Sequence, residues 1–588
     1  MRSRLVLTVT AAAAALTLPA IAQQAAQPAD PPATTASPTP APATSPEPSA
    51  EPATSRVSRS SGPDESAVEE VSSLNFAPPP APVEYPGWAR RDVRSVGKLD
   101  PQQQGLGAEP WGTASGAFLS TLMRRMETPL GSRWAQIALR DALLAKAEAP
   151  RGVNPVDWVA ERAWLLLRMG EADAARMLVA AVDVDRFSPK MVQVAVQSAL
   201  ATADPAALCP LQDGMRKHDP AIRPLVQAIC SSLAGEPQTA SGQIDHARRY
   251  GRIGGIDLAL AEKVVGAGGG GRAATLEWDA VDHLTAWRFG LATATGVVPP
   301  DRLVDRAAPR LRAFQARAPL LSPQQRLPSA FVAAGLGVLS SQSMVDLMSA
   351  IYETTGAGDL PNSEAWQLRQ AFVAGEPAAR LAAVRQLLGL GKGPHGQQGA
   401  RVLAARAAAM IEPDREFAED APELIAAMLA GGYDRAAERW IPIVNSMNDE
   451  DADRAWAMLA LAAPSVANVG TGRVATFIRR DTSPGRQRSA LLVAGLAGLG
   501  RISTDTANSL NRRHGLGIGR VTSWTRMIEA AAGRGQAGTV LVLSGTGFQT
   551  ADLAKLPGSH MYHAISALRR TGQDFTARMI AAEALSRT

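Results

Sequence analysis

The densest group of side chains that could do chemistry lies in residues 277–290, EWDAVDHLTAWRFG. Carboxylates, an imidazole and a guanidinium stand there beside two indole rings: Glu277, Trp278, Asp279, Asp282, His283, Trp287 and Arg288. The mixture is typical of a sugar or peptide groove, and on a helix Asp279, Asp282 and His283 occupy adjoining positions that a pair of carboxylate catalysts could use. The simpler interpretation places both tryptophans in the core and leaves the charges solvated or paired.

A glycine run at residues 266–271 has the G-x-G-x-x-G spacing of a dinucleotide-binding turn. That turn needs a strand before it, a helix after it and an acidic residue about 20 positions further on. Here Ile256, Leu260 and Val264 have helical spacing before the run, and residues 277–291 have helical spacing after it. We therefore expect a loop between two helices and no bound cofactor.

Two other groups match metal-ligand sets only in part. The aspartates of NDEDADRAW, residues 448–456, fit the first, third and fifth positions of a calcium loop, but an arginine replaces the glycine of the turn. Acidic residues at a helix start, stabilised by the helix dipole, explain this run more simply. His560 and His563 lie one helical turn apart, yet the neighbouring sequence offers no third ligand. The sequence predicts no metal site.

The only two cysteines of the chain, Cys209 and Cys230, lie on either side of a potential helix turn. Asp219 and Pro220 fit a helix cap and a first helical residue, so an antiparallel pair turning there places the sulfurs opposite each other. Oxidation in an exported protein would then stabilise the fold by about 3 kcal/mol in the chain-entropy model. We expect a disulfide, with two reduced buried thiols as the alternative.

The N-terminal residues predict export. Arg2 and Arg4 precede a short apolar run, and small residues at positions 20–22 fit a cleavage site, so residues 1–22 are predicted to be a signal peptide. The alternative is a retained N-terminal anchor. No later run reaches the roughly 18 apolar residues that span a bilayer. We expect a soluble periplasmic or secreted protein with no transmembrane segment after cleavage.

Residues 23–86 are rich in proline, alanine, serine and threonine. Such a composition buries too little apolar surface to offset the entropy of ordering, which predicts a disordered tether. A simple spacer is one interpretation of this segment. The other is that its few apolar residues form a docking segment, with Val68, Val71, Leu74 and Phe76 making the contact. Residues 87–112 are predicted to be a linker.

From residue 113 onward the apolar residues recur every three to four positions, which predicts helices. Several helix pairs are joined by a glycine followed by one or two polar residues and a small alanine, at Gly170, Gly235, Gly375, Gly432 and Gly572. Glycine lets the backbone leave one helix, and alanine permits close helix crossing. The pattern predicts an all-α chain of degenerate antiparallel helix hairpins.

These glycine and alanine junctions resemble those of tetratricopeptide-type repeat proteins. The resemblance covers most of residues 113–588 as architecture, without the full consensus of that family. It implies a right-handed α-solenoid that binds other proteins, and it implies no individual site residue. The solenoid could form two lobes, at about 113–355 and 362–588.

Charge argues against nucleic-acid binding, because 60 basic and 55 acidic residues alternate along the chain without a basic block. No nucleophile elbow or zinc-protease motif occurs, so the sequence favours a binding protein over an enzyme. The first hypothesis is a periplasmic scaffold that holds an envelope protein on its helical surface. The alternative is a solenoid that binds or processes cell-wall glycan, with peptidoglycan as its ligand.

Overall fold

The computed structural model describes residues 86–269, 275–550 and 552–588. They belong to one compact unit, Val83–Thr588, and are mostly helical, so the predicted all-α class is confirmed. Two short strands, β1 (Ser95–Val96) and β2 (Ala147–Glu148), pair antiparallel. The predicted signal peptide, the possible docking segment and all but the last residue of the predicted tether lie outside the described residues.

The α-helices of the first half follow one another through short connections. They are α1 (Gly116–Arg125), α2 (Arg133–Leu144), α3 (Pro155–Met169), α4 (Ala172–Val179), α5 (Pro189–Ala201), α6 (Gln212–His218), α7 (Arg223–Leu233), α8 (Pro237–Tyr250), α9 (Gly255–Gly269), α10 (Ala286–Thr293), α11 (Asp301–Arg306), α12 (Pro309–Arg317), α13 (Pro323–Leu336) and α14 (Ser341–Thr354).

The second half continues in the same way. Its helices are α15 (Glu364–Val373), α16 (Pro377–Leu388), α17 (Gly393–Ala409), α18 (Ala421–Gly431), α19 (Asp434–Glu438), α20 (Ile441–Ser446), α21 (Glu450–Ala462), α22 (Thr471–Arg480), α23 (Gln487–Gly498), α24 (Thr504–His514), α25 (Ser523–Gly533), α26 (Ala537–Gly547), α27 (Gly558–Arg570) and α28 (Asp574–Ser586). Short 3-10 helices lie at Gly87–Ala89, Val184–Arg186, Pro205–Leu211, Leu360–Asn362, Arg415–Asp420, Pro484–Arg486 and Leu553–Lys555. Among the helices of the described residues, none combines the length and the apolar character of a membrane-spanning segment.

The five glycine junctions predicted from the sequence all lie between two helices. Each glycine is followed two residues later by a new helix, in the pairs α3–α4, α7–α8, α15–α16, α18–α19 and α27–α28, and the members of each pair pack together. Gly170 and Gly432 end their helices in the left-handed conformation, with φ of 91° and 85°. Glycine adopts this conformation without the strain that a Cβ would introduce, which explains the residue choice.

The first helices of the unit pack against its last ones. α2 contacts α26 and α28, and α1 contacts α26. In a simple solenoid each hairpin contacts only its neighbours along the chain. The observed contacts join segments about 400 residues apart. The packed helix pairs are therefore confirmed, and the open solenoid arrangement is not.

One hydrophobic core runs from Val96 to Leu585 and includes residues of both predicted lobes. The predicted linker contributes to it, because Leu106 and Trp111 are buried. A second, smaller cluster gathers residues between Val192 and Ala292. The described structure therefore places the main core across the predicted lobe boundary.

A buried carboxylate ties α28 to the start of α2. Glu583 accepts hydrogen bonds from the Ser132 hydroxyl at 2.6 Å and from the backbone N–H of Arg133 at 2.9 Å. The backbone N–H of Trp134 adds a third bond at 3.3 Å. These donors have no partner inside their own helix, and the helix dipole favours a negative charge at this end. Arg587 supplies the counter-charge at 2.9 Å.

Arg162 donates hydrogen bonds to the carbonyl groups at the C-terminal end of α2. Its guanidinium is fully buried and donates to the carbonyl oxygens of Leu143 and Ala145 at 3.0 and 3.1 Å, and to that of Val96 at 2.7 Å. Burial lowers the pKa of Arg162 to about 9. The last carbonyls of a helix lack internal donors, so this arginine prevents buried, unsatisfied oxygens.

The same arrangement recurs through the unit, because a guanidinium carries five donors in a fixed plane. Other arginines donate to carbonyls in the last turn or at the C-cap of a helix other than their own. Arg133 donates to carbonyls of α13 and α18, Arg168 to a carbonyl at the end of α1, and Arg439 to one at the end of α17. Arg501 and Arg578 donate to carbonyls at the end of α21, and Arg569 to one at the end of α23. Part of the arginine content of the chain is therefore structural.

The predicted disulfide between Cys209 and Cys230 is confirmed, with Cα atoms 5.6 Å apart. The predicted helix start between them is wrong. α7 begins at Arg223, and Asp219 instead ends α6, with its N–H bonded to the Met215 carbonyl at 2.9 Å. The disulfide joins α7 to the 3-10 helix Pro205–Leu211, which packs on it.

Glu171 is a buried carboxyl group between α3 and α4. Its Oε1 lies 3.6 Å from Nη1 of Arg140, which also bonds Asp141 through Nε at 3.0 Å. Burial raises the pKa of Glu171 to about 7, against the opposing effect of Arg140. The folded chain therefore holds a proton on this group up to neutral pH.

Replacing Glu583 by glutamine should destabilise the fold by about 2 to 4 kcal/mol, because the charge at the α2 N-terminus is lost and Arg587 keeps an unpaired buried charge. Urea unfolding followed by circular dichroism would measure the change. Glu412→Gln is the matched control: Glu412 pairs with Arg439 at 2.9 Å but is 80% exposed, so its loss should cost less than about 0.5 kcal/mol. Equal effects of the two variants would contradict this role.

Glu171→Gln should change the pH dependence of stability. The pKa of Glu171 is raised from 4.5 to about 7 in the folded chain, so its favourable contribution is complete below pH 4.5 and is lost as the pH rises to about 7. The variant should therefore gain about 1 to 3 kcal/mol relative to the natural chain between those pH values. Unfolding curves from pH 4 to 8 test this, and a pH-independent difference would exclude it.

Candidate functional site

The group predicted at residues 277–290 is not helical throughout. Residues 275–285 form turns and irregular backbone, and α10 begins at Ala286, so Asp279, Asp282 and His283 do not share a helix face. Thr285 sets this start, because its side chain accepts a hydrogen bond from the backbone N–H of Arg288 at 3.2 Å. The segment before it is instead held by an arginine from α11.

That arginine is Arg302, which donates to the carbonyl of Val281 at 3.0 Å and also to the carbonyl of Trp278. Trp287 is buried in the second core cluster, and its indole N–H donates to the Asp257 carbonyl at 3.1 Å. Trp278 is half-buried against the same cluster. The tryptophans therefore pack mainly in the core, as the simpler interpretation expects.

The charged members of the group do not converge on one point. Arg288 forms a two-pronged pair with the Asp257 carboxylate, at 2.9 and 2.8 Å. Four members are exposed: Glu277, Asp279, Asp282 and His283. A pair of catalytic carboxylates would need a fixed separation across a cleft, and this exposed segment does not supply one.

The glycine run, the acidic run and the histidine pair lie in helices or at helix ends, as far as the described residues include them. α9 extends to Gly269 and so contains the first glycines of the run, while residues 270–274 lie outside the described residues. Asp449 caps α21 by accepting from the Ala452 N–H at 2.7 Å, which confirms the acidic helix start. His563 is buried beside Glu529, with Nδ1 2.5 Å from Oε1. Across the described ranges, no group of three or more metal-ligating side chains is placed to hold an ion.

A polar cavity of about 920 Å³ opens where α17, α21, α23 and the end of α28 meet. We call it the arginine cleft, after four of its lining residues: Arg401, Arg454, Arg488 and Arg587. Amides and carboxylates lie between them: Gln397, Gln398, Glu450, Asp451 and Asp552. A second cavity of about 410 Å³ adjoins the cleft and shares Glu450, Arg454, Arg488 and Thr588 with it.

Glu423 on α18 holds two of these arginines in place. Its carboxylate lies 3.1 Å from Nη2 of Arg401 and 2.7 Å from Nη2 of Arg454. Both arginines also donate to the Ser586 carbonyl at 3.3 Å. Burial raises the pKa of Glu423, but the two arginines outweigh it and the pKa lies below its ordinary value. The guanidinium groups are therefore fixed before any ligand arrives.

The other side of the arginine cleft is fixed in the same way. Arg488 donates through Nε to the Thr588 carbonyl at 2.9 Å and pairs with Glu450 at 3.3 Å. Glu450 itself is 80% exposed and so stays accessible. Gln398 forms part of the wall and is buried, and its Oε1 has no hydrogen-bond partner in the described part of the chain. A ligand N–H or O–H would satisfy that oxygen.

The chemistry of the arginine cleft suits recognition. Arginine stays protonated at neutral pH, so these side chains bind charge and do not exchange protons. Their planar donors fit carboxylate groups, and the interspersed carboxylates fit cationic or N–H groups. The sequence did not reveal the cleft, because its residues come from five separate segments and each arginine alone resembles a solvated one. The only part of its lining that the sequence singled out is the acidic run 448–456, which lines both cavities.

No protein family, curated protein or solved structure matches this chain. The tetratricopeptide-type resemblance therefore stays a prediction.

Replacing Glu423 by glutamine should loosen the arginine cleft. Because the pKa of Glu423 is lowered in the folded chain, its contribution is present above its ordinary value of 4.5 and is lost as the pH falls from there through the lowered pKa. Its side chain is 42% exposed, so screening should limit the loss at pH 7 to about 1 kcal/mol or less. Melting temperatures at pH 7 and pH 3.5 would show it. A loss as large at pH 3.5 as at pH 7 would contradict the electrostatic explanation.

Proposed function

We propose that this chain is an exported scaffold of the cell envelope that binds another protein through the arginine cleft. The part of the partner that enters is an extended segment with carboxylate side chains. The single observation that carries the proposal is the pair of adjoining cavities, about 920 and 410 Å³, lined by arginines that the fold already holds in place. Ligand sites are commonly concave, preformed and of this size.

The positions of the arginines favour a protein segment over a single small ion. Arg454 and Arg488 line both cavities, so the binding surface continues from one into the other. Arginine is enriched where protein interfaces concentrate their binding energy. The carboxylates of Glu450 and Asp451 on the same wall offer acceptors for backbone N–H groups or basic side chains. A peptide segment presents all of these groups along its length.

The disulfide supports the export part of the proposal. Disulfides persist in the periplasm and outside the cell, whereas the cytosol keeps thiols reduced. The Cys209–Cys230 bridge agrees with the leader that the sequence predicts at residues 1–22. Periplasmic location would be tested by cell fractionation of the full chain against a variant that lacks residues 2–22, which should stay in the cytosol with reduced thiols.

Site-specific photo-crosslinking in cells tests the partner. A photoreactive residue at Glu450, 80% exposed in the cleft, should capture a discrete protein. The matched control is Glu412, also 80% exposed but outside the residues that line the cleft. Adding Arg454→Ala and Arg488→Ala should reduce the adduct at least about tenfold, because buried or clustered arginine pairs contribute about 1.4 kcal/mol or more to such interfaces.

Two results would refute this function. One is the same set of adducts from position 412 as from position 450. The other is an adduct at position 450 that keeps its yield when both arginines are replaced. Circular dichroism of the arginine variants must match that of the natural chain, so that loss of folding is not mistaken for loss of binding.

A further inference from the structure

A different cavity, of about 380 Å³, lies at the opposite end of α28 from the arginine cleft. It is bounded by residues 103–106, by one face of α2 and by the start of α28. We propose that this cavity binds an uncharged sugar ring, with Phe575 and Trp134 as its aromatic wall and Asp141 as its hydrogen-bonding group. The inference does not rest on the scaffold function, because it involves none of the residues of the arginine cleft.

The aromatic wall consists of two rings held at right angles. The centroids of Trp134 and Phe575 lie 5.3 Å apart with an interplanar angle of 89°. Phe575 is 40% exposed, an unusual state for a large apolar side chain in a cavity. Aromatic rings that stay partly exposed are typical of sites where apolar contact and hydrogen bonding are combined. The C–H groups of a pyranose ring would cover the exposed part of Phe575.

Neighbouring residues hold both rings in place. The Arg133 guanidinium lies 5.7 Å from the centre of the Trp134 ring, and that of Arg578 lies 5.7 Å from the centre of the Phe575 ring. Gly432 permits the packing, because a Cβ at this position would lie only 3.1 Å from the Trp134 ring. The rings therefore need little reordering when a ligand binds, which lowers the entropic cost of binding.

The polar wall offers hydrogen-bonding groups suited to hydroxyl and amide groups. Asp141 lines the cavity with 27% of its side chain exposed, and Nε of Arg140 orients its carboxylate at 3.0 Å. The Gln573 amide nitrogen donates to the carbonyls of Gln104 and Gly105, both at 3.0 Å, and so fixes the loop that forms the rim. Gln103 on the same rim is exposed. Carboxylate and amide groups together recognise both donors and acceptors.

The surrounding charges argue against an anionic ligand. Neither arginine behind the aromatic wall lines the cavity: Arg578 pairs with Asp434 at 2.8 Å and Asp574 at 2.9 Å, and Arg133 donates to helix carbonyls. Asp141 would repel a phosphate or a carboxylate. The volume of about 380 Å³ falls within the range of about 300 to 1,000 Å³ that small-molecule sites occupy. A neutral saccharide fits this combination of charge, shape and volume.

Isothermal titration calorimetry of the folded chain with the β-linked tetrasaccharide of N-acetylglucosamine tests the proposal. We expect saturable binding with a Kd between about 10 µM and 1 mM, as for small polar ligands in open sites. Phe575→Ala should weaken binding at least about tenfold, because it removes the exposed ring. Asp141→Asn should weaken it several-fold while keeping the shape of the cavity. Arg454→Ala should leave it unchanged.

The matched control is Phe118→Ala on α1, where the phenylalanine is 36% exposed and lines no part of this cavity. It should bind the sugar like the natural chain. Absence of saturable binding up to about 10 mM sugar, roughly ten times the weakest Kd expected here, would overturn the proposal. So would equal affinities of the Phe575 and Phe118 variants. If Phe575→Ala fails to fold, Asp141→Asn decides the question alone, and an unchanged Kd would refute the site.

Discussion

The contact between Glu583 and the first turn of α2 is the interaction on which the arrangement of this chain depends. It joins the last long helix to one of the first through three hydrogen bonds to a single buried carboxylate. A charge buried at such a place is costly unless it is fully bonded, and here the helix N–H groups, a serine hydroxyl and Arg587 satisfy it. Both ends of α2 are thus occupied by charged side chains from other elements.

α28, which packs against α2, contributes residues to two separate cavities. Its first residues form part of the aromatic cavity, and its last residues form part of the arginine cleft. The helix is 13 residues long, so its two ends lie about 20 Å apart at 1.5 Å per residue. A helix packed along its length behaves as a stiff rod, so the two cavities keep a fixed separation. A partner and a glycan could therefore be held at a defined distance from each other.

The features that the sequence predicted correctly are local ones. The five glycine junctions and the disulfide depend on residues within about 20 positions of each other, and the all-α class depends on the apolar period alone. The start of the helix predicted at residues 277–291 is wrong, because α10 begins only at Ala286. The hydrogen bonds of Thr285 and Arg302 hold the preceding residues out of the helix, and apolar periodicity does not reveal them. Thr285 was the readable signal, since threonine is a common N-cap.

Neither the packing of the first helices against the last ones nor the two cavities could be predicted from the sequence. Glu583 and Ser132 are 451 positions apart, and nothing in either segment indicates its partner. The arginines posed the same difficulty. Those that cap helix ends and those that line the cleft look alike in the sequence, because the difference lies in which carbonyls or carboxylates the folded chain brings near them.

The joining of α2 to α28 also affects how the protein can be made. The chain leaves the ribosome with its N-terminus first, so α2 emerges hundreds of residues before Glu583, whose carboxylate accepts hydrogen bonds from the first turn of α2. Until then the early helices lack their packing partner and stay open to rearrangement. The contact between the two helices can form only once α28 has emerged, and in an exported chain this delay would favour the unfolded state that crosses a membrane.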